Sequence, residues 1–257
     1  MNARLELIDL NEIFDHVDQK LAEYYARRVQ HIAQLQVSDL IDGNVYLWPT
    51  KKSTLVSEVV EQALDTISSS SEEAEYGDFL RELAMFVAVK FAGGWKSSSP
   101  GLDLEFIRDG IHYVISIKSS TNWGNSSQQE KLAQDFGKAL VRLRQGKVNA
   151  EAVLGMCYGK THTSRHPKYG YLKLAGQNFW TFISGDKELY RTIIEPVGYR
   201  AKEHNEAYIQ QRDSLINLLT KQFIDRFCDD TGAIDWQRVV EANSGNYDLD
   251  KLGLALP

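Results

Sequence analysis

Asp103 and Lys118 bracket a segment, Leu104 to Ile117, that reads as two short strands joined by a tight Asp109-Gly110 turn. Such a hairpin brings the acid at its start and the lysine at its end to one open mouth. A carboxylate there can ligate a hard cation such as Mg²⁺, which prefers carboxylate, carbonyl and water oxygens. The Ile117 backbone carbonyl is a second candidate ligand. An ammonium beside the ion can position and deprotonate a water, or offset charge developing during attack. Hydrolysis of a phosphodiester needs this combination.

Side chains alternate faces along a strand. Asp103, Glu105 and Ile107 therefore share one face of the first strand, and Ser116 and Lys118 lie together on the second. The same pattern also fits a surface hairpin with a solvated acid and lysine. One carboxylate seldom suffices for a metal, and three acids can supply another. Glu82 lies between Phe79 and Phe86 at helical spacing, which suggests half-burial, although Glu75, Asp78 and Arg81 make a solvated face equally consistent. Glu130 opens a helix, where a carboxylate also favours the positive end of the dipole. Glu105 shares the face of Asp103 but stands further from the open end.

These residues need a frame. Apolar positions at helical spacing predict a long helix over 5–36, and Asn44 to Pro49 breaks it. Ser53 caps a second helix carrying Leu55, Val59, Val60, Ala63 and Ile67 on one face, and a polar loop follows at Ser68–Ser71. A third helix covers about 73–91 and ends at Gly93-Gly94. The hairpin comes next, then a polar loop (119–127), a helix over 128–145, a buried strand from Ala152 to Tyr158 and a short strand at Leu172–Ala175. One or two short helices fill 177–196, a long one 202–228, and a last one Asp235–Ala242. Strand, strand, helix, strand in that order predicts an α/β fold with a mixed central sheet between helices and helical additions at both ends. With no internal repeat and no linker, 1–257 reads as one domain: a helical part over 1–70, a core over 73–175 and a helical part over 177–257. The 202–228 helix, apolar at Ile216, Leu219 and Phe223, suits either dimer contacts or a core.

The composition, 43% hydrophobic and 25% charged, is that of a soluble globular chain. No apolar run reaches the length of a membrane span, and acids stand where a signal peptide needs an apolar stretch, so no membrane role and a cytoplasmic location are expected. Cys157 and Cys228 lack metal-type spacing and read as reduced and structural. The net charge of −6 argues mildly against a polyanionic partner. Charge acts locally, however, and residues 158–173 contain Lys160, Arg165, Lys168 and Lys173, two histidines and no acid. Lys160, His162, Arg165 and Lys168 are the candidate nucleic-acid contacts, against the plain alternative of a solvated loop. Asn122 and Asn125, in the loop after Lys118, could read bases, and Trp123 could wedge or pack. Lys138, Arg142, Arg144 and Lys147 stripe the following helix, as a solvated face or as phosphate contacts.

Asp103, Ser116 and Lys118, with Pro100 upstream, resemble the PD-(D/E)XK nuclease superfamily. More narrowly, the chain resembles type II restriction endonucleases of the branch that cuts interrupted RGGNCCY-type palindromes. The likeness extends through Tyr76-Gly77 to Glu82, the hairpin, Tyr158-Gly159, Phe179-Trp180 and Asp230 to Trp236. Two departures stand out: Pro100 is three residues before Asp103, and Ser116 occupies a position where most of the superfamily has Asp or Glu. The resemblance implies double-stranded DNA as substrate, Mg²⁺ as cofactor and a homodimer matching a palindromic site. It further implies Asp103 and Lys118 as catalytic residues, Ser116 lining the pocket, and Glu82 or Glu130 supplying the missing carboxylate. Loss of the acid at 116 leaves two alternatives, a decayed DNA-binding protein or a repair or structure-specific nuclease on the same scaffold.

Overall fold

The computed structural model describes residues 10–51, 55–198, 201–245 and 251. Along the chain run α1 (Leu10–Ala33), α2 (Val37–Leu40), α3 (Val56–Ala92), β1 (Trp95–Lys96), β2 (Leu104–Arg108), β3 (Ile111–Lys118), α4 (Ser126–Gln145), β4 (Ala150–Met156), β5 (Ser164–Arg165), β6 (Leu172–Ala175), α5 (Gln177–Ser184), α6 (Leu189–Thr192), α7 (Ile194–Gly198), α8 (Ala201–Phe227) and α9 (Trp236–Asn243). The strands form one sheet in the order β1-β2-β3-β4-β6-β5. β3, β4 and β6 run parallel, and β1, β2 and β5 pair antiparallel at the flanks. This is the expected mixed sheet with helices on its faces. The three parallel strands need crossovers, and α4 supplies the one between β3 and β4.

Contacts divide the chain into two compact units, residues 1–24 with 73–202 and residues 25–72 with 203–257. In the first, α4 covers one sheet face: Leu132, Phe136 and Ala139 pack on Val114, Ala152, Leu154 and Met156. α3 and α5 cover the other. A Cβ on Gly155 would stand 2.1 Å from the Phe179 ring, so only glycine lets α5 approach β4 this closely. On the same side the Trp180 indole donates to the Cys157 carbonyl at 2.8 Å. In the second unit, Leu215, Leu219, Phe223 and Phe227 of α8 pack with Val59, Val60, Leu64 and Val239, and Ile216 lies against them. The apolar residues of α8 singled out from the sequence thus serve this core. Arg212 ties α8 to Glu61 and Asp65 of α3 at 3.2 and 2.6 Å.

The structure corrects several element boundaries. The serine run at 68–71 is no loop: α3 is one helix of 37 residues. Its polar side chains bond back along the helix, Ser71 Oγ to the Ser68 carbonyl at 3.0 Å and Thr66 to the Gln62 carbonyl at 2.8 Å, so the hydroxyls do not compete with helical geometry. Ser53, the expected cap, lies outside the described residues. α4 starts at Ser126 because Asn125 caps it, and 177–196 holds three short helices. The edge strands β1 and β5, two residues each, carry no periodicity from which to read them.

Candidate active site

Asp103 precedes β2, and its N–H donates at 2.9 Å to the carbonyl of Ile115, the residue that pairs with Leu104. The β2–β3 register ends at Leu104, and Asp103 stands just past it with its carboxylate next to Ser116. Glu105, Val114, Ser116 and Lys118 share the face that α4 covers, and the Asp103 carboxylate meets it at Ser116. Asp103 Oδ2 accepts from the Ile117 N–H at 2.7 Å and from Ser116 Oγ at 3.3 Å. The carboxylate is thereby fixed against the end of β3, and Ser116, fully buried, donates where an acid would repel. The Ile115 carbonyl points to β2, so by the two-residue repeat the Ile117 carbonyl points the same way, past the start of β2 and beside Asp103.

The turn that delivers Asp103 is clamped by α4. Gly101 has φ +79°, and a Cβ there would stand 2.4 Å from Asp135 Oδ2. Asp135 is buried, and Lys131 holds both its oxygens at 2.7 and 2.8 Å. Arg142 donates to the buried Ser99 at 2.9 Å, so this residue of the basic stripe is a structural tether. Glu105 is committed inside: it is 3% exposed, 2.6 Å from Ser97 Oγ and 2.6 Å from His112 Nε2. The Lys131–Asp135 pair was detectable in the sequence as an (i, i+4) spacing; its target, Gly101, was not.

The other two acids have partners of their own. Glu82, half-exposed, stands 3.4 Å from Lys20 Nζ of α1. The part of α3 that meets the site end of the sheet is the Leu80 carbonyl, 3.6 Å from Cys157 Sγ, and Gly77, where a Cβ would lie 3.2 Å from Ser119. Glu130 is engaged by Lys168 Nζ at 3.2 Å and the Tyr169 hydroxyl at 3.4 Å. Among the described residues no three His, Cys, Asp or Glu side chains gather as a metal cluster. The donors at Asp103 are one carboxylate and one backbone carbonyl. That set fits a hard ion such as Mg²⁺, which keeps several waters and shares substrate phosphate oxygens.

Beyond β3 the chain stays paired with the segment after β4: Cys157 N–H donates to the Lys118 carbonyl and Tyr158 N–H to the Ser119 carbonyl, both at 2.9 Å. Gly159 makes the approach possible, since with φ +106° its Cβ would stand 2.5 Å from Thr121 Oγ1. Lys118 Nζ lies 5.2 Å from the centroid of the Trp123 ring, a cation–π contact that holds the ammonium at the site end of β3. Trp123 itself packs on the α4-side core. Asn125 is spent as a cap: its side chain accepts from the Gln128 N–H at 3.1 Å, and Gln128 reciprocates at 2.9 Å. Asn122, Lys160 and His162 are exposed. Arg165 is not free, because its Nη2 donates to both Glu151 carboxylate oxygens at 3.0 Å, and Lys168 is held by Glu130. The Cys157 thiol is pushed up to about 12, first by burial and then by the nearby Asp103 charge, against which Arg81 acts.

The described helices include none long and apolar enough to cross a membrane, and both cysteines are buried and unpaired. No curated protein matches the chain. The family model of type II restriction endonuclease EcoO109I matches residues 11–205, a span that contains the whole sheet and the Asp103–Lys118 hairpin. The chain belongs to the EcoO109I family of type II restriction endonucleases.

Proposed function

We propose that this chain is a Mg²⁺-dependent, site-specific endonuclease of double-stranded DNA that acts as a cytoplasmic homodimer, with Asp103 and Lys118 at its catalytic centre. The observation that carries the reading is the 2.7 Å bond from the Ile117 N–H to Asp103 Oδ2. It fixes a carboxylate beside the Ile117 carbonyl, one residue from a lysine on the same face. A divalent ion bound there supplies Lewis-acid polarisation of the phosphoryl group and a more acidic water. Asp103 and the Ile117 carbonyl would hold that ion, while Ser116 donates to Asp103 and keeps it oriented. Lys118, steadied by Trp123, orients the attacking water and offsets the charge on the phosphate as the bond forms. A two-fold dimer suits a palindromic target, because each protomer meets one half-site.

Ser116 and the absence of a three-acid group among the described residues favour a second reading, a DNA-binding protein that has lost catalysis. Plasmid or phage DNA incubated with the protein and Mg²⁺ separates the two. Discrete fragments that disappear in Asp103→Ala and Lys118→Ala support the endonuclease. Cutting that survives both substitutions removes the assigned residues. Duplex binding without cutting in Mg²⁺ or Mn²⁺ selects the second reading, and cutting at branches or mismatches without a fixed sequence selects a structure-specific nuclease.

A further inference from the structure

Lys173 is the basic residue of the 158–173 segment that the sheet itself carries onto the site face. β6 pairs with β4 so that Lys173 stands beside Leu154, and Leu154 stands beside Ser116 on β3. Lys173 therefore points to the same side as Asp103 and Lys118. Its side chain lines a cavity of about 100 Å³ together with Thr121, Trp123, Gln129, Thr161 and His166. That volume is far below the roughly 300–1,000 Å³ of pockets for drug-sized ligands, and it suits a small group. The lining includes no carboxylate. Arg165 and Lys168 have acid partners, whereas Lys173 forms no ion pair among the described residues.

Leu154, Met156 and Tyr171 complete the lining, and its polar side chains, Thr121, Gln129, Thr161 and His166, can each present a donor. His166 Nδ1 accepts from the backbone N–H groups of Lys168 and Tyr169, both at 3.3 Å, so the neutral ring carries its proton on Nε2. Burial first, and then the charges of Lys173 and Lys168, lower the pKa of this ring, in keeping with a positive local field. Gln129 belongs to the first turn of α4, where the helix dipole also favours an anion. Trp123 links the cavity to Lys118, since its ring is shared by both.

We propose that this cavity is a phosphate subsite, in which Lys173 holds a backbone phosphate of the bound DNA strand next to the one under attack. The proposal rests on the endonuclease reading for its ligand and on the cavity for its chemistry. A half-buried lysine without a counter-ion, in a cavity lined by no carboxylate, is stabilised by an anion, and the backbone of a bound DNA strand carries phosphates at regular spacing.

The test measures duplex binding as a function of salt, with Ca²⁺ in place of Mg²⁺, for the wild type, Lys173→Met, Lys173→Gln and Lys173→Arg. Loss of one phosphate contact lowers the slope of log affinity against log salt by about 1 in the Met and Gln variants. Affinity falls about tenfold, and the Arg variant retains most of both. Unchanged slope and affinity in Met and Gln variants that melt like the wild type overturn the proposal. If the wild type binds no duplex at all, the endonuclease reading falls. Thermal shifts with inorganic phosphate at constant ionic strength then decide the cavity separately. A shift in the wild type that Lys173→Met lacks, without any duplex effect, identifies a free-phosphate site and overturns the assignment to a DNA strand. No shift in either removes the phosphate site as well.

Discussion

Two groups of polar residues lie in the sheet unit, and they are held in opposite ways. Asp103, Ser116 and Lys118 are fixed by strand register, with backbone N–H groups and a neighbouring hydroxyl orienting the acid. Lys160, His162, Arg165 and Lys168 ride on a loop and a two-residue edge strand, and half of them are neutralised by Glu151 and Glu130. Backbone pairing places a side chain from local sequence, because alternation and register leave few choices. A loop leaves its charges to whatever tertiary partners lie within reach, and an exposed ion pair gains little energy while removing much of the net charge.

Removing either member of the strand-borne pair tests this contrast most strongly. Asp103→Ala and Lys118→Ala each reduce single-turnover cleavage on the order of 10³-fold or more, with the melting temperature little changed; a loss below tenfold takes both residues out of the centre. Next comes Gly159→Ala, which forces a side chain into φ +106° and into Thr121. Urea titration is expected to register a loss of about 1–3 kcal/mol, and an unchanged midpoint means that the loops after β3 and β4 are not packed together. Trp123→Ala removes the ring under Lys118; cleavage slows roughly three- to thirtyfold, from the usual worth of a cation–π contact. The smallest effect belongs to the loop. Arg165→Ala and Lys168→Ala alter duplex affinity less than about threefold. A drop of tenfold in either, with a shallower salt dependence, makes the loop the main DNA grip and reverses the comparison.

Much of the frame was legible in the chain. The hairpin, the helix after it and the buried strand at β4 followed from periodicity and from Asp109-Gly110, and the family resemblance from Asp103, Ser116 and Lys118 and the order of the motifs along the chain. The serine run at 68–71 misled because serine and threonine favour turns by bonding to their own backbone, and here those bonds run inside a helix instead. The second acid was illegible for a different reason. Glu82, Glu105 and Glu130 all fit by type and spacing, and they are distinguished by partners that only the fold brings to them: Lys20, the Ser97 and His112 pair, and Lys168 with Tyr169.

Alternation, turn chemistry and motif order put an aspartate at the start and a lysine at the end of a hairpin within a mixed α/β fold, from sequence alone. Tertiary structure decided which charges remain available at that end. It buried Glu105, paired Arg165, Lys168, Glu82 and Glu130, and left Lys173 facing an acid-free cavity beside Trp123. The reason is physical: a side chain's face follows from its own neighbours in the chain, whereas its free charge depends on every element folded against it.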